Sequence, residues 1–443
     1  MTGAWLTESI AFDPAEPAAS LRQLPTRRAA VFALYGDDER AEPYVGATPD
    51  LRRRLDRLLK PAAGQTRRLQ LVSRTRRIAW RLTGSEFESL LVQFAVLHQV
   101  FGARALERMH LRNPAFVRFH GGNAYPRLTI TTRPSQREQE WAYGPYPSRA
   151  AAERATDELL KLFLLRRCEE NLAPDPSHPG CVYGEMKRCL APCQQACSSD
   201  RYAEEAARVA AFLATRGESQ AAGLRQAREK ASEDLEFEQA AEAHAALQKV
   251  EAVQGLMPEL ARPANRLTLC LLQAAAGPDE VAVFLYQAGR LRGPVPFSTL
   301  GMRIQNEQSG SSSLFAQPVA MEAIPEGVTR LETARASRDV LESRMDAALD
   351  QLTAETGELD AVTRQAHLAL VTRWYYRPLV RRVGEVFFPD ADGHWPVKAM
   401  LRGVGRVAAA GITARGAHLA AVPAAEEPAG AGAVEPAPEP GGE

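Results

Sequence analysis

Five of the chain's six cysteines lie in one stretch, RRCEENLAPDPSHPGCVYGEMKRCLAPCQQAC, from Arg166 to Cys197; the sixth, Cys270, stands apart. Cys168, Cys181, Cys189 and Cys193 follow the spacing C-x12-C-x7-C-x3-C. Four thiolates are the number that a tetrahedral metal site or an iron–sulfur cluster needs. Pro179, Gly180 and Pro192 punctuate the run, so its loops can bend around a small inorganic centre. Spacing alone leaves zinc ahead of iron–sulfur, although zinc sites favour closer cysteine pairs. Unrelated buried thiols are the plain alternative. A disulfide framework is disfavoured, because the opening MTGAWLTESIAFDPAE has no signal-peptide character.

The elements that must position these groups are read from the rest of the chain. Its 443 residues can bury at least two cores, so two to four domains are expected. The 54 Lys and Arg balance the 54 Asp and Glu, so net charge announces no nucleic acid. The distribution is uneven, however: Arg52–Arg81 holds eleven basic residues against the single acid Asp56. The end, residues 424–443, is rich in Pro, Ala, Gly and Glu, cannot fill a core, and reads as a disordered tail. No run of about 18 apolar residues occurs, so no membrane span is expected and the cytoplasm is the default compartment.

In residues 20–130, Ala29–Leu34 reads as a buried strand and Pro43–Gly46 as a second. Asp50 starts a helix with Leu51, Leu55, Leu58 and Leu59 on its core face and arginines opposite. Ile78–Leu82 is a further strand, and Ser85 caps a helix with Phe87, Leu90, Leu91, Phe94 and Leu97 on its apolar side. Tyr125–Thr131 fits a strand. Ser148–Phe163 is an amphipathic helix delivering the chain to Cys168, and Ser199 or Asp200 caps another through about Leu213. Residues 219–254 form two helices broken near Leu235–Glu236. Downstream, Arg266–Gln273 and Val281–Gln287 pair as strands, and Glu322–Leu352 and Asp360–Arg373 are helical. The aromatic segments around Trp374–Pro378 and Trp395 read as core. The fold class is a multidomain α+β chain.

The words GPYPS (Gly144–Ser148), LFLLRRC, GCVYGEMKRC and LAPC resemble the central region of the UvrC family, the incision subunit of bacterial nucleotide excision repair. The likeness covers Tyr143–Gln254. It implies a [4Fe–4S] cluster on Cys168, Cys181, Cys189 and Cys193, in a cysteine centre spanning 143–215; Cys197 has no counterpart. The β-β-α-β-α order of residues 20–130 is similar to the small α/β GIY-YIG nuclease domain that opens UvrC. In that family a helical glutamate holds one magnesium ion, while tyrosines and an arginine position the water and stabilise the phosphoryl charge. Tyr44 and Arg54 stand at retained positions. Phe32, Ala47 and Gln93 replace the first-strand tyrosine, a lysine and the metal-binding glutamate. A neutral amide is a poor magnesium ligand. Glu86 and Glu88 precede Gln93 by seven and five residues, and Glu86 lies two turns, about 10 Å, away. The domain thus reads as a nuclease fold without its nuclease, with Mg required only if activity survives. Its basic face, including Arg52, Arg53, Arg67, Arg68, Arg76 and Arg77, could contact DNA phosphates.

Residues 219–254 resemble the UVR motif through Leu235, Phe237, Ala240, Ala241 and Leu247. The resemblance implies docking of this hairpin to a UvrB-type partner; an internal hairpin is the plain alternative. Residues 265–415 form a mixed α/β region of unassigned role. Neither the Asp-Gly-Gly strand of the family's second nuclease nor its tandem helix-hairpin-helix units are found, and LRGVG (Leu401–Gly405) hints at one hairpin only. The part that makes the 5′ incision is therefore expected to be missing. Three readings stay open. They are a UvrC-like repair protein with an inactive nuclease domain, an active short endonuclease like the homologue Cho, and a cluster-bearing interaction protein outside repair.

Overall fold

In a computed structural model of the chain, residues 5–38, 41–59, 71–302, 336–354, 357 and 359–420 are described. The first sheet contains β1 (Glu8–Ala11), β2 (Ala30–Tyr35), β3 (Tyr44–Thr48) and β4 (Arg77–Leu82), all antiparallel, in the order β1-β4-β2-β3. Residues 30–34 of β2 are all buried because helices cover both faces of the sheet. Ala30, Phe32 and Leu34 pack with Leu51, Leu55 and Leu59, whereas Val31 and Ala33 meet Val92 and Val96. This is the period-two alternation of a central strand. Both helices start on the side chains expected: Asp50 accepts from the Arg53 N–H at 3.1 Å and Ser85 from the Glu88 N–H at 3.1 Å. Capping of this kind is worth about 1 kcal/mol each.

The second sheet takes β5 (Ala115–Phe119), β6 (Leu128–Thr131), β7 (Ala142–Tyr146) and β8 (Arg262–Pro263), ordered β6-β5-β7-β8. The boundary expected at 20–130 therefore shifts. β1 lies upstream of residue 20, and β5 and β6 belong to the second sheet, where β5 pairs with both β6 and β7. The cause is packing: Ala115 and Val117 sit against Ala152 and Ala155 of the Arg149–Leu159 helix. Phe119 joins the core beneath the Ser199–Ala214 helix. Ser198 caps that helix, one residue before the expected cap.

The third sheet, β11-β10-β9-β12, is built from β9 (Thr268–Ala274), β10 (Glu280–Gln287), β11 (Arg290–Ser298) and β12 (Glu385–Phe387). On one face Cys270, Leu272 and Val283 pack with Met345, Leu352, Met400 and Val404 from the Arg338–Ala354 and Val397–Ala420 helices. LRGVG lies inside this last helix, so no hairpin forms there. On the other face Leu269, Leu271 and Phe284 meet Leu370 and Trp374 of the Ala361–Tyr375 helix. The Glu86–Phe101 helix joins this same core through Phe87, Leu91, Phe94 and Leu97. One helix thus serves two sheets. Its stretch Glu86–Arg108 is also long and apolar enough by composition to cross a membrane, and these two cores account for that composition. Arg67, Arg68, the first part of the helix expected from Glu322 and the tail 424–443 lie outside the described residues.

Candidate functional site

The cysteine stretch is anchored from behind by buried polar contacts. Arg166, 3% exposed, donates its backbone N–H to Tyr202 Oη at 3.0 Å and its Nε–H to Tyr125 O at 2.9 Å. Its Nη1 reaches Glu170 O at 2.8 Å and Cys168 Sγ at 3.6 Å. Tyr202 in turn donates to Pro126 O at 2.8 Å, tying the loop to the second sheet's edge. Leu190 N–H donates to Leu164 O at 3.1 Å, and Asp175 N–H to Cys193 O at 2.9 Å, so the two ends of the loop are stitched together. Gly180, at φ +80°, leaves room for the Gln194 side chain, which donates to His178 O at 3.2 Å. A side chain at Gly180 would both strain the backbone and strike Gln194.

Within this frame Cys189 Sγ accepts from the Ala191 N–H at 3.4 Å, an approach made possible by the left-handed Ala191. Burial pushes the Cys189 thiol up to about 11, and the charges of Cys168, Cys181 and Cys193 add to that shift while the Ala191 N–H opposes it. The bare Cys189 thiol is therefore a poor anion, and a cationic centre would bind it with release of its proton. Cys168, Cys181 and Cys193 lie close enough to Cys189 for their charges to act on it. Among the described residues, the only three potential ligand groups whose atoms lie within 4.8 Å of one another are Asp390, Asp392 and His394. Four thiol donors would fit either a tetrahedral zinc or a four-iron cluster. Cys197 packs against the helical core beside the centre, which gives it a structural role.

In the first module, Phe32 (1% exposed) and Tyr44 lie together, ring centroids 6.1 Å apart, and a Cβ on Gly46 would sit 2.9 Å from Phe32. Ala47 is exposed on β3, and Arg54 is half-buried on the Leu51–Leu58 helix. Gln93 is half-buried on the helix that covers the opposite sheet face. The two neighbouring carboxylates are engaged elsewhere. Glu86 is held bidentately by Arg377 at 2.6 and 2.7 Å, which lowers its pKa. Glu88, 3% exposed, accepts from the Gly84 N–H at 2.8 Å and lies 3.9 Å from Arg81; burial raises its pKa. Of the arginines expected on DNA, Arg53 is exposed and Arg52 half-buried. Arg76 pairs with Asp37 at 2.9 Å, and the Arg77 guanidinium lies 4.0 Å over the Tyr35 ring. The anchoring contacts of Arg166 and the close approach at Gly84 are not legible in the sequence. Gly84 abuts Ala274–Ala276, where a Cβ would lie 2.1 Å from backbone, and a lone Gly before a helix cap gives no hint of that contact.

The helical hairpin comprises Glu218–Glu233 and Phe237–Leu256. Leu235 turns the chain at φ +59°, and at this tip Leu235 and Phe237 are 70% and 71% exposed. Ala240 is half-buried and Ala241 exposed. Leu247 points the other way, 2% exposed in the core with Phe163 and Phe212, so it is not available to a partner.

Residues 115–212 match the family described as UvrC/Cho excinuclease, middle domain. Proteins named UvrABC system protein C are similar over longer stretches. The Rickettsia bellii protein is 25% identical over 301 residues, 68% of this chain and 47% of that protein. The Alcanivorax borkumensis protein is 29% identical over 228 residues, 52% and 37% of the two chains. The Pseudomonas syringae protein is 30% identical over 215 residues, 48% and 35%. The chain thus spans less than half the length of these curated relatives. No solved structure matches. The segment that carries the cysteine centre lies inside the stretch that matches the family, and over that stretch the chain is similar to UvrC proteins.

Proposed function

We propose that the chain acts in nucleotide excision repair as a DNA-binding, UvrC-like protein that carries a [4Fe–4S] cluster and docks a UvrB-type partner, without nuclease activity of its own. The observation that carries this reading is the coincidence of the four gathered sulfurs with the matched stretch 115–212. Cys168, Cys181, Cys189 and Cys193 would hold the cluster, which supplies a rigid cationic core for the loop. Arg166 and the Ala191 N–H would stabilise the thiolates by hydrogen bonding. The exposed Leu235 and Phe237 give the hairpin an apolar tip that a second helical pair could cover. The arginines of the Leu51–Leu58 helix would contact DNA phosphates.

The inactive state of the nuclease-like module is supported by Gln93, by the commitment of Glu86 to Arg377 and by that of Glu88 to the Gly84 N–H. A supershift assay on damaged duplex tests the whole reading. The chain should bind DNA with a salt-dependent affinity, add to a UvrB–DNA complex and leave both strands intact in magnesium. Failure to join UvrB on DNA would remove the repair assignment. Nicking in magnesium would favour the active-endonuclease reading instead.

A further inference from the structure

Beyond the Ala361–Tyr375 helix the chain makes one tight turn, Leu379–Arg381, whose apolar side chains stand in solvent. Leu379 is 76% exposed, Val380 92% and Val383 60%. Single exposed apolar residues are ordinary, but three so close together form a patch, and patches mark contact surfaces. The turn is held in place. The Arg381 and Arg382 N–H groups donate to Pro378 O at 2.8 and 3.0 Å, and Trp374 Nε1–H donates to Val383 O at 3.0 Å. Arg382 donates from Nη1 to Tyr375 O at 2.9 Å, with its guanidinium 5.0 Å from the centre of the Tyr375 ring. Just upstream, Arg377 grips Glu86 at the start of the Glu86–Phe101 helix. Leu379 and Val380 are thus presented on a fixed base.

The surroundings select the charge of what covers this patch. Residues 373–383 hold Arg373, Arg377, Arg381 and Arg382 and no acid. Glu86 answers Arg377, and Glu385 just downstream is taken by Arg406. Arg373 and Arg381 are exposed, and neither forms an ion pair among the described residues. A run of contacts joins the turn to the arginine-bearing Leu51–Leu58 helix. Arg381 and Val383 line a cavity of about 210 Å³ with Gly84 and Ala274. Gly84 abuts Ala274–Ala276, and Arg28 Nη2 donates to Ala276 O at 2.6 Å. Arg28 O then accepts the N–H of Leu51, the first residue of that helix, at 3.0 Å. An apolar prong flanked by cations, continuous with a basic helix, suits a duplex: apolar side chains part a base step while arginines hold the phosphates.

We propose that the Leu379–Arg381 turn is a wedge for duplex DNA: Leu379 and Val380 enter between neighbouring base pairs, and Arg373 and Arg381 contact the flanking phosphates. The wedge rests on the DNA-binding part of the function proposed above. The test uses the full chain and a duplex of repeated TA steps, with 2-aminopurine in place of adenine at several of them. Such steps unstack most readily, and their repetition makes the signal independent of where the chain sits. At saturating protein the wild type should raise the 2-aminopurine emission, which stacking quenches. The double variant Leu379→Ser/Val380→Ser should melt like wild type, because both side chains are exposed, and should bind with the same salt dependence but lose the rise in emission. Arg381→Gln should lower the slope of log Kd against log salt by about 0.9. Binding without a rise, a rise kept in the double variant, or an unchanged slope in Arg381→Gln would each overturn the wedge alone. No DNA binding by the wild type would overturn the wedge together with the DNA-binding reading. Loss of UvrB-hairpin binding in the double variant, with the emission rise intact, would make the turn a protein contact instead.

Discussion

Truncating Phe237 to Ala separates the two roles of the helical hairpin. The side chain is 71% exposed, so its removal leaves the chain's own cores intact. A phenylalanine presents about 200 Å² to a partner, of which about 140 Å² is free here to be covered on docking. At about 25 cal/mol per Å² that burial is worth about 3.5 kcal/mol, or between two and three decades in Kd. Leu247→Ala should do the opposite. Its side chain is 2% exposed in the intramolecular core, so truncation should destabilise the fold by about 2–5 kcal/mol. The assay pairs a thermal melt of each variant with calorimetric titration against a UvrB C-terminal helical hairpin. Phe237→Ala should melt like wild type and bind at least a hundredfold more weakly. Wild-type affinity in Phe237→Ala would refute the docking tip, and no binding by the intact chain would refute the partner.

The wild type should not nick DNA in magnesium or manganese, and Gln93→Glu alone should not restore cleavage. On the proposed reading Phe32 and Ala47 would also need restoring, because positioning groups act as a unit; robust nicking abolished by Tyr44→Phe or Arg54→Ala would contradict this. Stability should fall on acidification through the His367 ring. Depressed from 6.5 to about 4, it contributes stability above pH 6.5 that is lost as pH falls toward 4, roughly 3 kcal/mol in all. His367→Gln should flatten melting temperature against pH in that window, and parallel curves for the two proteins would exclude the ring as the cause. Glu88 works in the reverse sense: its raised pKa means the protonated form suits the fold, and that contribution disappears as pH rises through the folded value. Glu88→Gln retains an acceptor for the Gly84 N–H and should match or exceed wild-type stability at pH 8; a loss above about 1 kcal/mol would show that the charged form is needed.

Much of the local structure was legible because it follows from short-range chemistry. Asp50, Ser85, Ser148 and Asp360 cap helices as their types and positions suggest. The apolar run Ala29–Leu34 marked a buried strand, and the break at Leu235–Glu236 marked a hairpin tip. What escaped depends on contacts distant in sequence. β1 joins the first sheet only through pairing with β4, and β5 pairs with β7 in the second sheet. The Arg377–Glu86 pair spans 291 residues, and no local pattern reveals it. Leu247 shares a motif with Phe237, but its side of the helix is set by Phe163 and Phe212, which lie elsewhere in the chain. In the cysteine centre the spacing gave the ligand number, whereas the anchoring of the loop by Arg166 and Tyr202 belongs to contacts distant in sequence.

The central claim is the cluster, and metal analysis of anaerobically purified chain tests it most directly. Iron and acid-labile sulfide should appear in equal amounts, about four of each per chain, with the brown colour of iron–sulfur proteins and little zinc. Cys189→Ser should lose the colour and destabilise the neighbouring helices, because centre binding contributes to folding. One zinc per chain without sulfide would contradict the cluster while keeping the ligands. Neither metal in stoichiometric amount would contradict the metal centre altogether.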